Sequence, residues 1–125
     1  MEINDFVFRE EHDIYQAVIA GIKIVINKRQ MSDDTLSLAS KVLAEYPRKA
    51  DEIAKYIAND DGIMTIYGKF SVNEMRKKLR EPEILIIDKF GGKLTYLNHE
   101  LDDFHIIDIE FSDVLEEFFD LNIDG

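Results

Sequence analysis

No cysteine occurs anywhere in the 125 residues, which removes thiol nucleophiles, thiolate-held zinc, iron–sulfur clusters and redox pairs from consideration. Long apolar runs are missing as well. No stretch approaches the roughly 18 apolar residues of a membrane-spanning helix, and Met1 to Glu11 lack the basic-then-apolar pattern of an export signal. The expectation is a cytoplasmic chain with no membrane partner. Basic residues vanish from one whole region: after Lys93 there is no Lys or Arg. Glu100, Asp102, Asp103, Asp108, Glu110, Asp113, Glu116, Glu117, Asp120 and Asp124 all fall there. The stretch before them balances 16 acidic groups against 15 basic ones, so these carboxylates supply −10 of the net charge of −11. Such a one-sided field attracts cations and basic protein surfaces and repels phosphate backbones and anionic lipid.

Internal repeats, Gly/Ser linkers and low-complexity tracts are also absent. With 46% hydrophobic and 33% charged residues, the chain has enough core-forming material to fold without disulfides or metal. A single α+β domain over 1–125 is expected. It would have a mainly antiparallel sheet, an N-terminal β-hairpin, a helix pair, a third short helix and C-terminal β-strands.

The periodicities carry that expectation. Ile22, Ile24 and Ile26 alternate with Lys23 and Asn27, the period of two of a half-buried strand, and 14–20 with 22–28 reads as a hairpin around Gly21. Phe6 to Arg9 offers a third strand. Leu36, Ala39, Val42, Leu43 and Tyr46 recur at helical spacing behind a cap at Ser32 or Asp33, and Pro47 is read as the stop. Ala50, Ile53, Ala54 and Ile57 predict a second helix that Asp60-Asp61-Gly62 closes. Residues 63–70 fit either a short strand or irregular chain. Ser71 and Glu74 form a capping box for a helix to about Leu79, ahead of Pro82. Strands at 84–88 and 94–98 are then joined by a Gly91-Gly92 turn. At the end, Ile107, Ile109 and Phe111 alternate with Asp108 and Glu110, while Phe119, Leu121 and Ile123 alternate with Asp120, Asn122 and Asp124. Two strands that bury one side and show carboxylates on the other follow from this pattern.

Complete catalytic motifs are lacking. There is no Gly-x-Ser-x-Gly, and Ser32 and Ser71 are accounted for by capping. Asp120-Leu121-Asn122-Ile123-Asp124-Gly125 matches the first six positions of an EF-hand loop, but its Leu and Ile suit a strand end, and no position-twelve carboxylate follows. His99, Asp102, Asp103 and His105 form the one cluster of imidazoles and carboxylates. It could hold zinc, manganese or iron and activate water as a small metal-dependent hydrolase, although the loop spacing lacks the one-face geometry of helical ligands. Arg76, Lys77, Lys78 and Arg80 make a basic patch with no interleaved aromatics, a solvated helix face more than a nucleic-acid footprint.

The hairpin Ile14-Tyr-Gln-Ala-Val-Ile-Ala-Gly-Ile22, the helix pair at 33–59, and the closing segment from His105-Ile-Ile-Asp-Ile-Glu-Phe111 to Asn122-Ile-Asp-Gly125 resemble, in order of elements, a group of small bacterial domains of unknown function. Immunity-like and toxin-associated proteins are among them. The resemblance transfers no active-site residue. Neither an enzymatic activity nor a cofactor is expected. Together with the charge the resemblance gives the leading expectation of a protein-interaction domain whose Asp108, Glu110, Asp120, Asn122 and Asp124 form an acidic patch for a basic protein surface, not for nucleic acid. The metal-dependent hydrolase is the alternative, and a homo-oligomer paired through an exposed sheet edge is a third reading.

Overall fold

The computed structural model describes every residue from Met1 to Gly125. Seven strands, β1 (Val7–Arg9), β2 (Ile14–Ile19), β3 (Ile22–Asn27), β4 (Glu83–Asp88), β5 (Gly91–Tyr96), β6 (Ile106–Ser112) and β7 (Glu117–Asp124), form one sheet in chain order. All neighbours are antiparallel except β3 and β4. That pair runs parallel because the chain between them returns through α1 (Asp33–Ala58), α2 (Asp61–Tyr67) and α3 (Val72–Leu79). The fold is therefore α+β with a mainly antiparallel sheet.

Alternation places Ile24, Ile26, Ile84, Ile86, Leu94, Ile107, Ile109 and Phe111 on one face, in a single apolar cluster with Leu36, Val42, Ile53, Ile57, Ile63 and Met75 of the helices. Burying each such side chain contributes roughly 1.5–3 kcal/mol before entropy is counted. The intervening positions Val18, Lys23, Leu85, Lys93, Thr95 and Glu110 are exposed or half-buried. No helix covers their face.

The expected helix pair is one continuous helix of 26 residues with Pro47 inside it. Proline cannot donate to the Leu43 carbonyl and disfavours the helix, but it does not forbid it where packing compensates. The apolar stripe Ala39, Val42, Tyr46, Ala50, Ile53, Ile57 crosses Pro47 without a phase break, and every member is buried. Asp60 likewise starts an element where a stop was expected. Its carboxylate accepts the Ile63 amide at 3.0 Å as the cap of α2, so part of 63–70 is helical. The capping box of Ser71 and Glu74 opens α3 as predicted.

Two turns differ in kind. Ala20 and Gly21 both have positive φ, 52° and 79°, which fits the right-handed twist of the β2–β3 hairpin. Between β4 and β5 the turn lies at Lys89-Phe90, where Asp88 accepts the Phe90 amide at 2.8 Å. Gly91 and Gly92 belong to β5 itself, and both are glycine because a Cβ at either would run into the Phe111 or Leu85 carbonyl.

Candidate functional site

The cross-strand register assembles the acidic patch. On the uncovered face Lys93 lies opposite Glu110, Thr95 opposite Asp108, Asp108 opposite Asn122 and Ile106 opposite Asp124. Between Asp108 and Glu110 the β6–β7 pairing slips by one residue, with Asp120 at φ 49°. This is a bulge with its extra residue in the left-handed region, and it leaves the Asp120 carboxylate against Glu110. Asp108, Glu110, Asp120, Asn122 and Asp124 are thus neighbours. Lys93 is the one basic residue on β5, β6 and β7.

Their accessibility is uneven. Asp120, Asn122 and Asp124 are exposed and Glu110 half-buried, but Asp108 is only 6% exposed. As a directly docking group Asp108 is therefore a correction to the expected patch. It is packed near Lys93, whose Nζ is 3.9 Å from Oδ1, and that oxygen has no hydrogen-bond partner. Burial raises the Asp108 pKa, with Lys93 and Asn122 opposing and the Asp124 carboxylate adding to the rise. Glu110 is raised too, by burial and then by Asp120 beside it. The ionised patch is crowded with like charge.

Phe119 belongs to this site and was expected in the core. The bulge breaks the strict alternation. Phe118 packs against the core, while Phe119 pairs with Glu110 on the uncovered face and is 41% exposed. A signal was present in the sequence: two successive aromatics followed by Asp, a residue that tolerates left-handed backbone.

The second candidate, the loop from His99 to His105, is organised by its own hydrogen bonds. His99 Nδ1 accepts the Leu101 amide at 3.1 Å, so Nε2 carries the proton and donates to the His105 carbonyl at 2.6 Å. Both ring nitrogens are consumed, and the side chain is buried. Asp102 accepts from Tyr67 Oη at 2.7 Å and His105 Nδ1 at 2.6 Å, and from the Phe104 and His105 amides at 3.1 and 3.0 Å. Burial pushes its pKa up, but these four donors outweigh burial and hold the carboxyl well below the usual range. Tyr67 is raised by burial and by its bond to that carboxylate. Asp103 is exposed and makes no hydrogen bond.

The ligand set His99, Asp102, Asp103 and His105 is thus not assembled, and no three His, Asp or Glu side chains of the molecule are placed to hold one ion. His99 is spent on backbone, and Asp102 is saturated by donors. The half EF-hand segment is strand β7, not a loop. His105 is held by Asp102 through Nδ1, and its Nε2 makes no hydrogen bond. Its surrounding groove of Gly21, Arg80, Glu81, Leu97, Asn98 and Glu100 supplies no Ser, Thr or Lys to activate. Tyr67, the partner of Asp102, lies in the segment that periodicity left ambiguous. On α3, Arg76 is held by Asp51 of α1 at 2.9 Å, so the basic patch partly neutralises its own neighbour.

No protein-family model, curated protein or solved structure matches the chain. No helix is long and apolar enough to cross a membrane.

Proposed function

We propose that the chain is a non-enzymatic cytoplasmic interaction domain, of the immunity-inhibitor type, that docks a basic protein through the uncovered face of β5, β6 and β7. The carrying observation is that Glu110, Asp120 and Asp124 share a face no helix covers, with Lys93 as its one cation. Phe119 gives this face an aromatic group of the kind that anchors interfaces. The surrounding carboxylates would speed and select the encounter with a cationic surface.

The test uses the protein as bait in lysate of its source cells. Wild type is compared with Glu110→Lys/Asp120→Lys/Asp124→Lys and with the helix-side control Asp33→Lys/Asp34→Lys. A basic protein retained by wild type and control, but released by the triple variant, supports the reading. With that protein in hand, Phe119→Ala should weaken binding by about tenfold or more. Retention that the triple substitution leaves unchanged contradicts the reading.

A further inference from the structure

Away from the acidic face, a cavity of about 300 Å³ opens between α1, α3 and the sheet. Its walls include Ile22, Leu43, Pro47, Ala50 and Leu79. Tyr46 and Tyr96 also line it, and Arg76, Arg80 and Glu81 supply its charged groups. The size is at the lower end of small-molecule sites, and the make-up is the usual one of apolar walls with few polar groups.

Its two phenols leave a proton unplaced. Tyr46 and Tyr96 are 8% and 1% exposed, and their hydroxyls meet each other at 3.2 Å as the one hydrogen bond of the pair. A phenol has one O–H to give. Whichever donates to the other, the second O–H has no acceptor in the protein, and a buried donor left unpaired is costly. Burial pushes Tyr46 up to about 12 and raises Tyr96 as well, with Glu81 adding to both, so both remain donors at neutral pH. Arg80 makes no ion pair, whereas Arg76 is taken by Asp51.

We infer that this cavity binds a small monocarboxylate with an apolar body and an uncharged hydrogen-bond acceptor. The acceptor takes the spare phenolic proton, the body fills the space between Leu43, Ala50 and Leu79, and the carboxylate pairs with Arg80. Neither the acidic face nor any partner protein is needed for this binding.

The probes are 4-hydroxybenzoate, benzoate and 4-hydroxybenzyl alcohol, titrated into ¹⁵N-labelled full-length protein and followed by amide shifts. Saturable shifts around Ala20, Ala50 and Tyr96 are expected with 4-hydroxybenzoate. Benzoate and the alcohol should each bind about tenfold more weakly, having lost one polar contact each. A single Tyr→Phe change leaves one free phenol, so the informative variant is Tyr46→Phe/Tyr96→Phe, which removes both hydroxyls and keeps the ring shapes. It should bind 4-hydroxybenzoate no better than benzoate. Arg80→Gln should abolish the preference for the acid over the alcohol, and Ala50→Leu, by filling the cavity, should abolish binding. No saturable shift with any probe up to about 10 mM overturns the inference, since a site this size should reach millimolar affinity. So does unchanged 4-hydroxybenzoate affinity in the double Phe variant.

Discussion

Asp102 and Asp108 are six residues apart and respond to pH in opposite senses. Burial raises Asp108 and its Oδ1 lacks a hydrogen bond, so the ionised form is disfavoured in the folded state. Its contribution to stability therefore falls as pH rises through the raised folded value. Asp108→Asn should gain about 1 kcal/mol at pH 7 in urea unfolding, with unchanged m. That gain should shrink as pH drops toward the ordinary aspartate range, where the wild-type carboxyl is itself protonated. For Asp102 the donors around it win over burial and lower the folded value. Its contribution is full above the ordinary aspartate value and is lost as pH falls through the depressed one. Asp102→Ala removes the acceptor of two amides, so hydrogen exchange at Phe104 and His105 should accelerate by about tenfold or more. The sequence announced these carboxylates as a cluster. It could not show that His99 turns both nitrogens to the backbone, because that depends on how the loop between β5 and β6 folds back on itself.

Among the elements, α1 and β7 mark where local patterns suffice and where they mislead. An interior proline ordinarily ends a helix, but the stripe from Ala39 to Ile57 keeps its helical phase across Pro47, a continuity visible in the sequence. Packing decided the contest. Pro47→Ala restores a donor for the Leu43 carbonyl and should raise stability by about 1–2 kcal/mol, measured as a higher Tm. In β7, the period of two does not extend back to Phe119. The bulge at Asp120 turns Phe119 outward, and backbone at φ 49° is what the extra residue must adopt. Asp120→Gly should be neutral or stabilising, whereas Asp120→Val, β-branched at a left-handed position, should cost about 1–2 kcal/mol in the same unfolding assay.

At the scale of the whole molecule, charge and topology act together. The run of carboxylates after Lys93 was plain in the sequence, and so was the alternation that sends Asp108, Glu110, Asn122 and Asp124 to one side. Hidden were the absence of any helical cover on that side and the partial withdrawal of Asp108 beneath Lys93. Both depend on where three helices pack after a crossover, which no local period encodes. The most direct measurement is a ¹H–¹⁵N titration with a tetra-arginine peptide at about 20 mM salt, where screening is weak. The largest shifts should fall in Ile106–Ser112 and Glu117–Asp124 and collapse in Glu110→Gln/Asp120→Asn/Asp124→Asn. Shifts centred on the helix-side carboxylates Asp33, Asp34 or Asp61, or a pattern the triple variant leaves intact, would contradict an acidic docking face on this sheet.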